Sequence, residues 1–270
     1  MTEKIFHTKL GDIHYRIGKS SGDRLWLAFL PGLTADFHLF DKQIEYFEGR
    51  YNCFVWDAPA HGSSRPFKLE FYMDELTVYL YDIFQREGID RPFLVGQSMG
   101  GYIAQAYIKR FPGTVQGFVS IDSAPLSRSY FSGWELALLK HAYWMYCCIP
   151  WELLVKLGST GTAQSEYGRV LMERTMREYT PKEYCKLADH GYRLLSLAAQ
   201  AHGDWEPNCP VLLLCGEKDG AGSSKRYNRR WTKRTGFPLI WLKGAGHNSN
   251  TDVPDEVNRL IETFMKENTA

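Results

Sequence analysis

The nine residues Phe93-Leu94-Val95-Gly96-Gln97-Ser98-Met99-Gly100-Gly101 constrain this chain more than any others. An apolar run that reads as a buried strand stops at Gly96, while the pattern from Met99 to Tyr107 has helical spacing, so the backbone must turn within a few residues. Ser98 sits on that turn. Glycine two positions to either side is expected to spare Ser98 the Cβ collisions of so sharp a turn, lifting its hydroxyl clear of the strand end. The helix that follows points its free N–H groups and positive dipole end at the same place, where negative charge on a substrate oxygen would be stabilised. Such a turn suits a nucleophile that forms an acyl-enzyme.

Around it, strand and helix patterns alternate. Residues 4–10 and 13–17 flank Gly11-Asp12, a two-residue hairpin signal. Strands are read at 25–30, 52–56, 93–96, 115–121, 211–215 and 239–242, and helices at 40–47, 75–86, 225–233 and 254–266 besides the one after Ser98. The alternation predicts an α/β fold: a mostly parallel central sheet with helices on both faces and a ligand site at the carboxyl ends of the strands. It lapses after residue 125, where only helical or irregular patterns occur until 203. The domain reading is therefore a core of residues 1–125 and 206–270 with a helical cap insertion at 126–205.

A chain of 270 residues can bury a sizeable core, and its formal net charge of +1 argues against a nucleic-acid binder. The expected partner is a small-molecule acyl substrate. Residues 1–20 hold no continuous apolar segment of signal-peptide type. The uncharged aromatic run 142–151 is too short to span a bilayer, contains Pro150, and is bounded by Lys140, His141 and Glu152. These features predict a cytoplasmic protein without stable membrane association. The six cysteines lack zinc spacing and read as free buried thiols. Neither a metal nor an organic cofactor is implied.

A serine hydroxyl is a poor nucleophile at neutral pH and needs a base that takes its proton and later returns it to a leaving group. Of the histidines, His247 is best placed, in the glycine-bearing loop 243–250 after the last predicted strand. His61, in the turn-rich loop 57–66, is the rival and reads as mainly structural. A carboxylate that fixes the base's tautomer is offered by Asp219, just beyond the strand at 211–215. Asp122, ending the preceding strand, is a second candidate, and Glu217 reads as a solvated neighbour. The backbone N–H groups of Met99 and Leu33 are the candidate oxyanion donors, Gly32 allowing close approach.

The Gly96–Gly101 segment, the turn at Pro31-Gly32, the loop 57–64, Gly216-Glu217-Lys218-Asp219 and Gly244-Ala245-Gly246-His247 together resemble the α/β-hydrolase superfamily. The resemblance covers nearly the whole chain outside the cap. It implies Ser98 as nucleophile, Asp219 as acid and His247 as base, in that chain order. Two departures are Pro31-Gly32, where the family often has His-Gly, and Ala60, where it usually has glycine. Serine at 98 also separates the chain from the superfamily's dehalogenases and epoxide hydrolases, which resemble it but carry aspartate there. The expected activity is hydrolysis of a carboxylic ester or related acyl compound with a hydrophobic group, through an acyl-enzyme on Ser98. Acyl transfer or carbon–carbon bond cleavage by the same residues is the chemical alternative, and a non-catalytic ligand sensor the alternative of another class.

Substrate choice is expected to lie in the cap, which is rich in aromatic residues. Leu136, Leu139, Tyr143 and Tyr146 follow helical spacing, so most of the rings are read as packing, with Trp134, Tyr143 and Trp144 as candidate substrate-binding residues. One surface feature departs from the neutral average. Lys225, Arg226, Arg229, Arg230, Lys233 and Arg234 line one predicted helix, which reads as a solvated face, with an anionic ligand or partner as the alternative.

Overall fold

A computed structural model describes residues 1–22, 24–139 and 142–269, and the backbone alone of Ala142, Trp144 and His202. Lys140 and His141 lie outside the described residues. Strands β1 (Thr2–His7) and β2 (Asp12–Gly18) form an antiparallel hairpin. Its turn is not the two-residue one suggested by Gly11-Asp12, because His7 pairs with Asp12 and residues 8–11 form the loop. The Thr8 side chain is the reason: its hydroxyl donates to the Gly11 carbonyl and accepts from the Leu10 and Gly11 N–H groups.

Six further strands follow: β3 (Trp26–Leu30), β4 (Asn52–Trp56), β5 (Phe93–Gln97), β6 (Gly117–Ile121), β7 (Val211–Gly216) and β8 (Leu239–Leu242). Among the described residues they make one eight-stranded sheet in the order β1-β2-β4-β3-β5-β6-β7-β8. The pairings from β4 to β8 are parallel. Every residue of β3 to β7 is buried, the signature of a parallel sheet covered on both faces.

Helices α1 (Asp41–Phe47), α2 (Met73–Glu87) and α3 (Met99–Arg110) connect the first parallel strands, and α4 (Gly133–Leu139), α5 (Ala142–Cys147), α6 (Trp151–Thr162), α7 (Glu166–Arg177) and α8 (Pro181–His202) fill the interval between β6 and β7. The chain closes with α9 (Ser224–Thr235), the single-turn α10 (Ser249–Asp252) and α11 (Pro254–Glu267). One core unites Leu30, Leu94, Phe118 and Leu213 of the sheet with Leu80 of α2, Ile103 of α3 and Trp231 of α9. The opposite face packs Phe29, Val95 and Leu214 against Phe47 of α1 and Ile261 of α11. A smaller cluster joins Leu154, Met176 and Leu187 of α6, α7 and α8 over Ala60, so the inserted helices rest on the loop after β4. Among the described residues no helix is long and apolar enough to cross a membrane.

The cysteines are unpaired, but only Cys53, Cys185 and Cys215 are buried. Cys147 and Cys148 are exposed and Cys209 is half-buried, which corrects the reading of all six as buried thiols: Cys147 is the last residue of α5 and Cys148 follows it, both facing solvent.

Candidate active site

The carboxyl ends of β5, β7 and β8 bring Ser98, Asp219 and His247 to one edge of the sheet. Ser98 adopts φ +49°, ψ −115°, a strained conformation for a residue with a side chain, and one that the strand-to-helix turn enforces. The flanking glycines act differently from the collision with Ser98 that the sequence suggested. A Cβ on Gly96 would lie 2.6 Å from the Gly100 carbonyl and the Gly101 Cα, and one on Gly100 would run into the Leu30 carbonyl oxygen. The glycines let α3 approach β5 and β3 closely, and Ser98 sits part-buried at the turn between them.

Ser98 Oγ donates to His247 Nε2 across 2.9 Å. His247 Nδ1 donates to Asp219 Oδ1 at 3.1 Å, because a carboxylate oxygen can only accept, and this sets the tautomer that leaves Nε2 free to receive a proton. Asp219 also accepts from Ser224 Oγ and from the Ala221 N–H. Burial disfavours the His247 imidazolium, but the hydrogen bond and charge of Asp219, with the charge of Asp122, outweigh it and raise the histidine above its ordinary range. Burial works against the Asp219 carboxylate too; its bonds to His247, Ser224 and Ala221 win and hold it below its usual value.

Asp122 spends its hydrogen bonds elsewhere than on His247. Its carboxylate accepts from the Gly216 N–H at 2.7 Å and from both the N–H and hydroxyl of Ser249, tying the end of β7 to the residues just past His247. Burial and the nearby negative charge of Asp219 push Asp122 up to about 7. Glu217 remains an exposed neighbour that accepts from Gly244 N–H at 3.3 Å. Asp122, Cys215 and Asp219 bring potential ligand atoms within 4.8 Å of one another, yet the two carboxylates are spent on hydrogen bonds and burial holds the thiol protonated.

Further contacts hold the histidine loop, and the sequence did not announce them. Gln97 Nε2 donates to the His247 carbonyl at 2.8 Å and to Asn248 Oδ1 at 3.1 Å. Asn248 N–H donates to the Thr162 carbonyl, while Asp252 accepts from Gly246, Gln164 and Ser165 N–H groups. The loop is thus tied to both the sheet and α6. Gln97 had a signal, its place beside Ser98; Asp252 and Ser224 had none, since short polar residues near helix starts are common everywhere.

Leu33 occupies the second position of a turn closed by Ala35 N–H and the Gly32 carbonyl, with Thr34 at φ +64°. A Cβ on Gly32 would lie 3.2 Å from the Ser98 Cβ, so this turn packs directly on the serine. Met99 opens α3, where the first N–H groups of a helix lack intrahelical partners. Both residues line a narrow apolar cavity that His61 and α8 also border.

Other expected residues are elsewhere. Trp134 is 69% exposed, because it starts α4 on the face opposite buried Leu136, and it does not line that cavity. Tyr143 is half-buried, its N–H bonded to Asp189, and it is not part of that lining either. The Trp144 side chain lies outside the described residues. The basic helix α9 is not merely a solvated face. Arg226 pairs with Glu135, Arg230 donates to the Tyr130 carbonyl at 3.0 Å, Lys225 donates to the Glu217 carbonyl, and Arg229 stacks over Trp241.

Sheet order, crossovers and the serine turn together define the α/β-hydrolase fold. The sequence agrees: residues 26–146 match the model of the alpha/beta hydrolase fold family. The chain is 26% identical to Epoxide hydrolase 4 of Homo sapiens, the match covering 95% of this chain and 76% of that one. Its structure is similar to the enol-lactonase from Burkholderia xenovorans LB400, with TM-score 0.73, 18% identity and coverage of 95% and 97%. It is also similar to the thermophilic esterase from Thermogutta terrifontis, with TM-score 0.75, 16% identity and full coverage of both chains, 100% and 100%. The chain has the α/β-hydrolase fold, and its segment 26–146 carries that family's sequence pattern.

Proposed function

We propose that the chain is a serine hydrolase that cleaves a carboxylic ester or related acyl compound through an acyl-enzyme on Ser98. The observation that carries this reading is the continuous chain of hydrogen bonds from Ser98 through His247 to Asp219. Ser98 Oγ attacks the substrate carbonyl carbon as its proton passes to His247 Nε2. The N–H groups of Leu33 and Met99 receive the developing oxyanion, each worth roughly 3 kcal/mol. The imidazolium, steadied by Asp219, gives its proton to the departing alkoxide, and the acyl group stays on Oγ. Water then enters, loses a proton to Nε2 and attacks the acyl carbon; the proton returns to Oγ as the acid leaves.

Serine favours an acyl substrate over the epoxide in one relative's name. Opening an epoxide on Ser98 would leave an ether, which has no carbonyl for water to attack, whereas an acylated serine keeps one. In this reading the helices of 126–205 act as a cap, and the apolar cavity beside Leu33 and Met99 supports a hydrophobic group near the reacting carbonyl. A fluorophosphonate probe tests the proposal. It should label the wild type and not Ser98→Ala, which should also lose turnover of p-nitrophenyl butyrate on the order of a millionfold. Labelling and turnover retained in that variant would refute it.

A further inference from the structure

The cavity beside the oxyanion turn contains a polar group that the proposed reaction does not use. Its walls are apolar, formed by Leu33, Met99, Ile103, Phe71 and Leu187, apart from two imidazoles, His61 and His190. His61 is 7% exposed, and its Nδ1 lies 3.0 Å from the Pro59 carbonyl. A carbonyl only accepts, so Nδ1 carries the proton and Nε2 presents a lone pair. Among the described residues that Nε2 has no hydrogen-bond partner. Burial pushes His61 down to about 4, so the ring is neutral at physiological pH and Nε2 remains an acceptor. His190 on α8 repeats the pattern: its ring meets Phe71 edge-on at 4.6 Å, burial lowers it, and its Nε2 is also unpartnered.

A buried acceptor left unsatisfied costs folding free energy comparable to a lost hydrogen bond, and such atoms are uncommon in native interiors. The cavity holds about 20 Å³, enough for one small group but not for a ring. We infer that His61 Nε2 is a built acceptor for the substrate, and that the enzyme takes acyl compounds bearing a hydroxyl or N–H donor within a few bonds of the reacting carbonyl. The cavity's shared wall with Leu33 and Met99 sets that separation, since the same two residues supply the proposed oxyanion donors. This inference rests on the serine-hydrolase reading and adds a substrate class to it. A substrate lacking the donor would strand Nε2 in an apolar wall, and a site built this way discriminates against the methyl analogue more strongly than an apolar pocket discriminates by size.

The test compares p-nitrophenyl 3-hydroxybutyrate with p-nitrophenyl 3-methylbutyrate, which replaces hydroxyl by methyl at nearly constant volume. The readout is the ratio of the two kcat/KM values within each protein. In the wild type the hydroxy ester should be favoured by about tenfold or more. His61→Phe, which keeps a ring and removes the acceptor, should bring the ratio to one or invert it. A wild-type ratio at or below one overturns the inference and leaves Nε2 to a trapped water; that measurement needs no variant to fold. A ratio unchanged in a folded His61→Phe overturns it as well, because the donor is then read elsewhere. If fluorophosphonate fails to label Ser98, the underlying hydrolase reading falls and this inference with it. Labelling without donor preference sinks the inference alone.

Discussion

Replacing Asp219 by Asn separates the two carboxylates that the sequence offered as partners for His247. Asp219 is 1% exposed and contacts Nδ1 at 3.1 Å, so its negative charge faces the imidazolium with little water between. Unit charges about 4 Å apart attract by about 4 kcal/mol at an effective dielectric of 20, equivalent to roughly a thousandfold in rate. Asn is nearly isosteric and its oxygen can still accept from Ser224 or Ala221, so the fold should persist. Its amide N–H₂, if turned toward His247, holds the tautomer with the proton on Nε2, which cannot take the serine's proton. The expected result is a fall in kcat/KM for p-nitrophenyl butyrate of about a thousandfold, with a circular-dichroism melt close to wild type. The acidic limb of the pH–rate profile should also move to lower pH, since the interaction that raises His247 is gone. A loss of less than about tenfold in a folded protein would refute the reasoning and return Asp122 as the operative carboxylate.

The base must be neutral to act, and His247 is raised above its ordinary value, so wild-type activity should fall as pH drops through a pKa above about 6.5. Asp122→Asn removes the more distant of the two charges that raise it and should shift that limb to lower pH; a limb that stays in place would show that Asp122 exerts no field at the site. Gly100→Ala drives a Cβ into the Leu30 carbonyl and should cost about 3 kcal/mol, lowering Tm by on the order of 6–12 °C. Thermal melts within about 2 °C of wild type would mean that the strand-to-helix approach is not tight.

Local chemistry made much of this protein readable from its residues. Uninterrupted apolar runs such as 53–56 and 211–215, short and bounded by turn residues, read as doubly covered strands, and a strand stopping at Gly96 before a helical pattern can only turn sharply. The alternation that follows determines the sheet's parallel character and puts its ligand site at the carboxyl edge. Chain order then singled out Ser98, Asp219 and His247 as candidates, because each follows a strand on that edge.

What the sequence left open depends on distances between residues far apart in the chain. Asp219 and Asp122 were rival partners by position, and the tertiary structure alone decided that one meets His247 while the other clamps Gly216 and Ser249. The hairpin turn near Gly11 depended on the Thr8 hydroxyl, a contact without a periodic pattern. Trp134 and buried Leu136 are two positions apart on one short helix, and hydrophobicity cannot tell which faces solvent. The cations of α9 are largely exposed, as read, but nothing in their spacing showed that Arg226, Arg230 and Arg229 meet Glu135, Tyr130 and Trp241, which lie on other elements. Periodicity reports only on which face of an element is apolar; which distant group fills the space opposite is decided by packing.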